Sequence, residues 1–143
     1  MTARMTGPMH RDRGQAMVEF ALVLPLFILL LVGLLDVGRL VFINNSVSEA
    51  AREGARWGAV QSRSVDAAGR DSIGRHVLGA ITGVPTPNVS VSCEKDGASV
   101  SRCNSNDILV VTVSTPVPLT TPLLDRLIGT PTVTSTSKVT VNQ

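Results

Sequence analysis

Residues 13–39 read RGQAMVEFALVLPLFILLLVGLLDVGR, and the fold turns on how this stretch is solvated. From Ala16 to Leu35 every residue except Glu19 is apolar, proline or glycine. As a helix those residues rise about 30 Å, the thickness of a bilayer's hydrocarbon core. A membrane-spanning helix is therefore expected over residues 15–36. The charge-free part, Phe20 to Leu35, rises only about 24 Å. Glu19 is thus expected at or just below one interface. Pro25 interrupts the hydrogen-bond ladder, which membrane helices tolerate when neighbours satisfy the freed carbonyl. Arg4, Arg11 and Arg13 precede the run, and Arg39 is the first basic residue after it. The positive-inside bias then puts the N-terminus in the cytoplasm and the C-terminal part outside. A secretory signal peptide needs small residues at an A-x-A-like site soon after its core. Here the core runs into GLLDVGRLVF, which offers none.

Glu19 admits two readings. A carboxylate near lipid costs a few kcal/mol unless neutralised or paired. A cut between Gly14 and Gln15 would give Gln15 a free amine one helical turn before Glu19, on the same helix face. Gly14 would let the backbone lie extended in a protease cleft. Alternatively, Glu19 marks a helix start, where negative charge suits the dipole. The residues alone leave these balanced.

The bulk composition excludes several classes. Net charge is +2, too mild for a polyanion partner, so no nucleic acid is expected. Aromatics are 3% with no tyrosine, which argues against base-stacking platforms. Cys93 and Cys103 have no His or Cys neighbours at zinc-ligand spacing, so neither metal nor cofactor is expected. There is no nucleophile motif, phosphate loop or framed carboxylate pair, and no enzymatic activity is expected. His10 and His76 stand apart, His76 as a surface residue.

A basic leader ending in Gly14, then Glu19 and Phe20 at the head of an apolar helix, resembles the type IV prepilin signal. The wider resemblance is to the TadE-like family of minor pilins, or pseudopilins. It rests on Arg13–Phe27, on DVGR at Asp36–Arg39, and on AAREGARWGA at Ala50–Ala59. It covers about the first 60 residues closely and the remainder in outline. It implies cleavage by a prepilin peptidase after Gly14, with residues 1–14 as a cytoplasmic leader. It also implies a role in assembling a tight-adherence (Flp-type) pilus at the cytoplasmic membrane, with other pilus subunits, platform proteins and the lipid bilayer as partners.

Beyond the span, residues 37–62 are expected to extend the helix. Ala50, Gly54 and Gly58 recur every four residues, as do Ala51, Ala55 and Ala59. Such small-residue stripes admit another backbone closely. Each glycine costs roughly 1 kcal/mol against alanine in a helix, which close packing would offset. The partner is either this protein's own domain or another subunit. Glu49–Arg52 and Glu53–Arg56 pairs would support the helix. Trp57 is an ordinary buried aromatic on this reading.

Residues 63–143 are expected to form an extracytoplasmic α+β domain, pilin-like, with a small antiparallel sheet on the helix. Ser64–Thr82 reads as a second helix capped by Ser64, with Ile73, Val77 and Ile81 in phase. Gly83–Pro87 reads as a turn. Then the period becomes two. Val89, Val91 and Cys93 share one face; Ile108–Ser114 suits a central strand; Val133, Val139 and Val141 share a face of a third. Thr121–Gly129 reads as a short helix pressing Leu123, Leu124, Leu127 and Ile128 on the sheet. Cys93 and Cys103 flank a polar loop with a turn at Asp96–Gly97. Outside the cytoplasm a disulfide would close that loop and contribute roughly 2–3 kcal/mol. Two free thiols are the alternative. A permanently anchored module that displays its domain to a ligand or envelope polymer is the competing function, and processing after Gly14 discriminates the two.

Overall fold

A computed structural model describes residues 11–61, 65–120, 126 and 129–142. The first helix, α1 (Arg11–Gln61), runs 51 residues without a break, Pro25 included. Its most apolar stretch has mean hydropathy 2.7, and none of that stretch is buried within the molecule. Such a surface, studded with exposed Leu and Phe side chains, needs a non-aqueous solvent.

Past the span the helix changes character. Asp36, Ile43, Val47, Ala50, Ala51 and Ala55 are buried, at spacings of three and four that keep one face inward. Opposite that face lie α2 (Ala67–Ala80) and a four-stranded sheet, with α2 also packed on the first strand. The sheet comprises β1 (Asn88–Lys95), β2 (Ala98–Val100), β3 (Ile108–Pro116) and β4 (Thr132–Thr140), in the order β2-β1-β3-β4, antiparallel throughout. The α+β arrangement expected from the sequence is present.

Alternation sets the two sheet faces. Leu109, Val111, Val113 and Thr115 of β3 are all at 0% exposure. They pair with Val139, Ser137, Ser135 and Val133 of β4, so the inward face is continuous across the ladder. The outward face carries Ser90, Thr112 and Thr136, whose hydroxyl pair Thr112–Thr136 is 3.1 Å apart. There Lys138 donates to Glu94 at 2.7 Å, bridging the strands on either side of β3.

Three local expectations are corrected. The sheet has four strands, not three. Asp96 (φ 50°) and Gly97 (φ 81°) form a two-residue turn, and the supposed loop after it pairs back as β2. The second helix starts later than Ser64, which lies outside the described residues. Asp66 is the cap, its Oδ1 accepting from the Gly69 N–H at 2.9 Å, and Val65 instead bridges to Cys103. The helix ends at Ala80 rather than Thr82, so Ile81 is its C-cap, half-buried and packed against the core in phase with Ile73 and Val77. The short helix read over Thr121–Gly129 falls on residues outside the described ones, apart from Arg126 and Gly129.

Candidate functional site: the anchor helix and its docking face

The register of the domain on α1 can be read from its glycines. A Cβ on Gly58 would stand 2.6 Å from both Ile73 Cδ1 and Leu109 Cδ2. One turn nearer the membrane, a Cβ on Gly54 would collide with Val77 Cγ2 and lie 3.3 Å from Val111 Cγ1. Further down, the Phe42 ring sits 3.4 Å from a Cβ on Gly83. Lower still, the Asp36 carboxylate accepts the Thr120 N–H at 3.1 Å. Both α2 and β3 therefore run antiparallel to α1, towards its apolar N-terminal part. The lengths agree: Gly54 to Asp36 is about 27 Å of helix, and Val111 to Thr120 is about 30 Å of extended chain.

Ala50, Ala51, Gly54, Ala55 and Gly58 thus sit in this chain's own core, beneath α2 and β3. The stripe admits those elements at close range, and each missing side chain is replaced by a valine, isoleucine or leucine from the domain. Outside that stripe the same stretch of helix carries charges, and Arg56 pairs with Glu53 at 2.8 Å.

His76 departs from the expectation of an isolated surface residue. Its ring stacks on Trp57 with centroids 4.6 Å apart, and its Nε2 is 3.9 Å from Glu53 Oε1. The pair ties the solvent side of α2 to α1. An i, i+4 count within one helix could not reveal it, because the partners lie on different helices.

Cys93 and Cys103 are bonded, with Cα atoms 5.3 Å apart and neither residue exposed. Val65 exchanges backbone hydrogen bonds with Cys103 at 3.0 Å in both directions, so the bridge also holds the start of α2 against β1.

Gly14, Gln15 and Glu19 lie on the exposed N-terminal part of α1. Among the described residues, no element of the domain packs on them. Asp36 was missed as a contact residue, although it had a signal: positions 36, 40, 43 and 47 share one face of the helix. It is 5% exposed and hydrogen-bonded, with its carboxylate turned into the domain. Arg39 is exposed.

The architecture defines a class: a small α+β domain carried on the continuation of a single apolar helix able to cross a membrane. The family model described as TadE-like protein matches residues 14–56, which is the anchor and most of its docking face. The resemblance read from the motifs is thereby shown over that stretch. No curated protein and no solved structure gives a significant match.

Proposed function

We propose that this chain is a minor pilin-like subunit for assembly of a tight-adherence (Flp-type) pilus, matured by a prepilin peptidase that cuts after Gly14. The TadE-like match over residues 14–56 carries the reading, since it begins at the proposed cleavage residue and contains Glu19. The exposed Glu19 supports it. A carboxylate at the head of a lipid-facing helix gains a partner if Gln15 becomes a free amine one turn away, in the same chain or in a stacked neighbour. Among the described residues nothing packs on Gly14, which lies in the exposed first turns of α1. The domain is extracytoplasmic on this reading, where its bonded cysteines are chemically at home. Its partners are the peptidase, other pilus subunits and the assembly platform.

Mass spectrometry of the mature chain tests the proposal. Gln15 is expected as the N-terminus, and Gly14→Val should leave residues 1–14 attached. A mature chain that keeps its leader in a host with active peptidase would favour a permanently anchored module. Glu19→Ala separates the two roles of the motif: the variant should insert and be cut, yet fail to support pilus assembly.

A further inference from the structure

The burial of Asp36 moves the membrane boundary. A span ending at Asp36 would leave only about 24 Å of charge-free helix between Glu19 and that aspartate. Asp36, however, does not face lipid: it is 5% exposed and accepts the Thr120 N–H. The next charge outward is the exposed Arg39. Between Glu19 and Arg39 the helix rises about 30 Å, which matches a hydrocarbon core. Lipid-facing side chains continue across this zone without a polar break, with Leu34 65%, Leu35 73% and Val37 59% exposed. Beyond Arg39, Val41 and Phe42 remain 55% and 57% exposed, and the first exposed polar pair is Asn44 and Asn45.

The domain reaches down to this same level. Thr120 stands beside Asp36, and Gly83 beside Phe42. Thr115 Oγ1 donates to the Pro85 carbonyl, which fastens the α2–β1 connection to the sheet and keeps it next to Phe42. No linker separates the span from the folded domain. If the hydrocarbon ends at Arg39, Phe42 and Gly83 lie within the adjoining headgroup layer, about 5–7 Å thick, while Thr120 beside Asp36 reaches about 4–5 Å below that boundary.

We propose that the domain is seated in the headgroup layer of the bilayer from which it rises, through a collar of Val37, Val41 and Phe42 with the Gly83–Pro85 turn, Arg39 marking the hydrocarbon boundary. The occupant of this apolar rim is lipid. The rim is continuous with the lipid-facing surface of the span, and Asp36, the one acidic side chain at its level among the described residues, is turned inward. This inference rests on the membrane anchoring in the proposed function and adds the depth and seating of the domain.

Trp57 is the only tryptophan, so Trp57→Phe gives a silent background for depth measurement. Single tryptophans would be placed at Leu30, Val41, Phe42 and Val60, and the full chain reconstituted in phosphatidylcholine vesicles. Quenching would be compared between lipids with a nitroxide on the headgroup and lipids with one deep in the acyl chain. Leu30→Trp should be quenched by the acyl nitroxide. Val41→Trp and Phe42→Trp should be quenched by the headgroup nitroxide at least twofold more than Val60→Trp, about 27 Å further along the helix than Phe42. Collar probes quenched no more than Val60→Trp, with Leu30→Trp quenched, would overturn the seating and leave the anchor intact. So would collar probes that are blue-shifted but shielded from headgroup quencher as protein density rises, which identifies a second copy as the occupant. An unquenched Leu30→Trp would overturn the anchor and the collar together.

Discussion

Two glycines one turn apart have different surroundings, and alanine should distinguish them. At Gly54 the intruding atom would meet Val77, a β-branched side chain with little freedom to turn aside. Gly54→Ala is expected to destabilise by about 1–2 kcal/mol after the gain in helix propensity. At Gly58 the nearest atoms are the mobile ends of Ile73 and Leu109, so Gly58→Ala should be within about 1 kcal/mol of neutral. Gly74 has open space around it inside α2, and Gly74→Ala should stabilise by roughly 0.5–1 kcal/mol. Thermal melts in one detergent would give the order Gly74→Ala, wild type, Gly54→Ala from highest to lowest Tm. A Gly54→Ala protein as stable as wild type would mean that α1 and α2 are not packed this closely. Leucine at either position would disrupt the chain's own core. A loss of partner binding by such a variant would therefore not identify an intermolecular contact.

Among the elements, α1 and the sheet were the most legible. The apolar run marked the exposed first part of α1, and alternation in Val89–Cys93 and Val133–Val141 marked two strands and their inward faces. β2 was hidden because three residues are too few to show a period, although its turn at Asp96–Gly97 was visible. The start of α2 was misplaced because a serine and an aspartate two residues apart are both good caps. The choice fell to tertiary context, since Val65 is taken by its bridge to Cys103. The disulfide acts at this scale too. Reduction, or Cys93→Ala with Cys103→Ala, should cost roughly 3 kcal/mol by the chain-entropy model. Calorimetry should register it as a lower Tm, with α2 losing amide protection first. The Asp36 contact predicts a smaller, graded effect. Asp36→Ala leaves the Thr120 N–H without its acceptor and should cost about 1–3 kcal/mol, whereas Asp36→Asn keeps an oxygen in place and should cost less. Hydrogen exchange at Thr120 would report it directly.

For the molecule as a whole, the site was legible in a different way from the fold. Gly14 and Glu19 could be singled out because their chemistry is out of place in an anchor. What the small-residue stripe packs against could not be read, since two helices of one chain and two chains present the same pattern to a sequence. The answer lies in side chains 15 to 57 positions away, Ile73, Val77, Leu109 and Val111, which complete the stripe. Removing residues 1–14 should therefore leave the domain's melting temperature unchanged, because no described contact of the core involves them. A shift of several degrees in a chain starting at Gln15 would show that the leader takes part in the fold.

Because α1 passes from Glu19 into the domain core as one helix, the protein has no swivel. A helix turns about 100° per residue. The direction Glu19 faces around the axis is therefore geared to the direction the sheet faces, some 50 Å away. A neighbour that engages the outer face of the sheet also sets the azimuth of the carboxylate in the membrane, and a subunit seated by that carboxylate presents its sheet at a fixed bearing. Orientation in the bilayer and orientation outside it are a single torsional variable, set by the same length of rod.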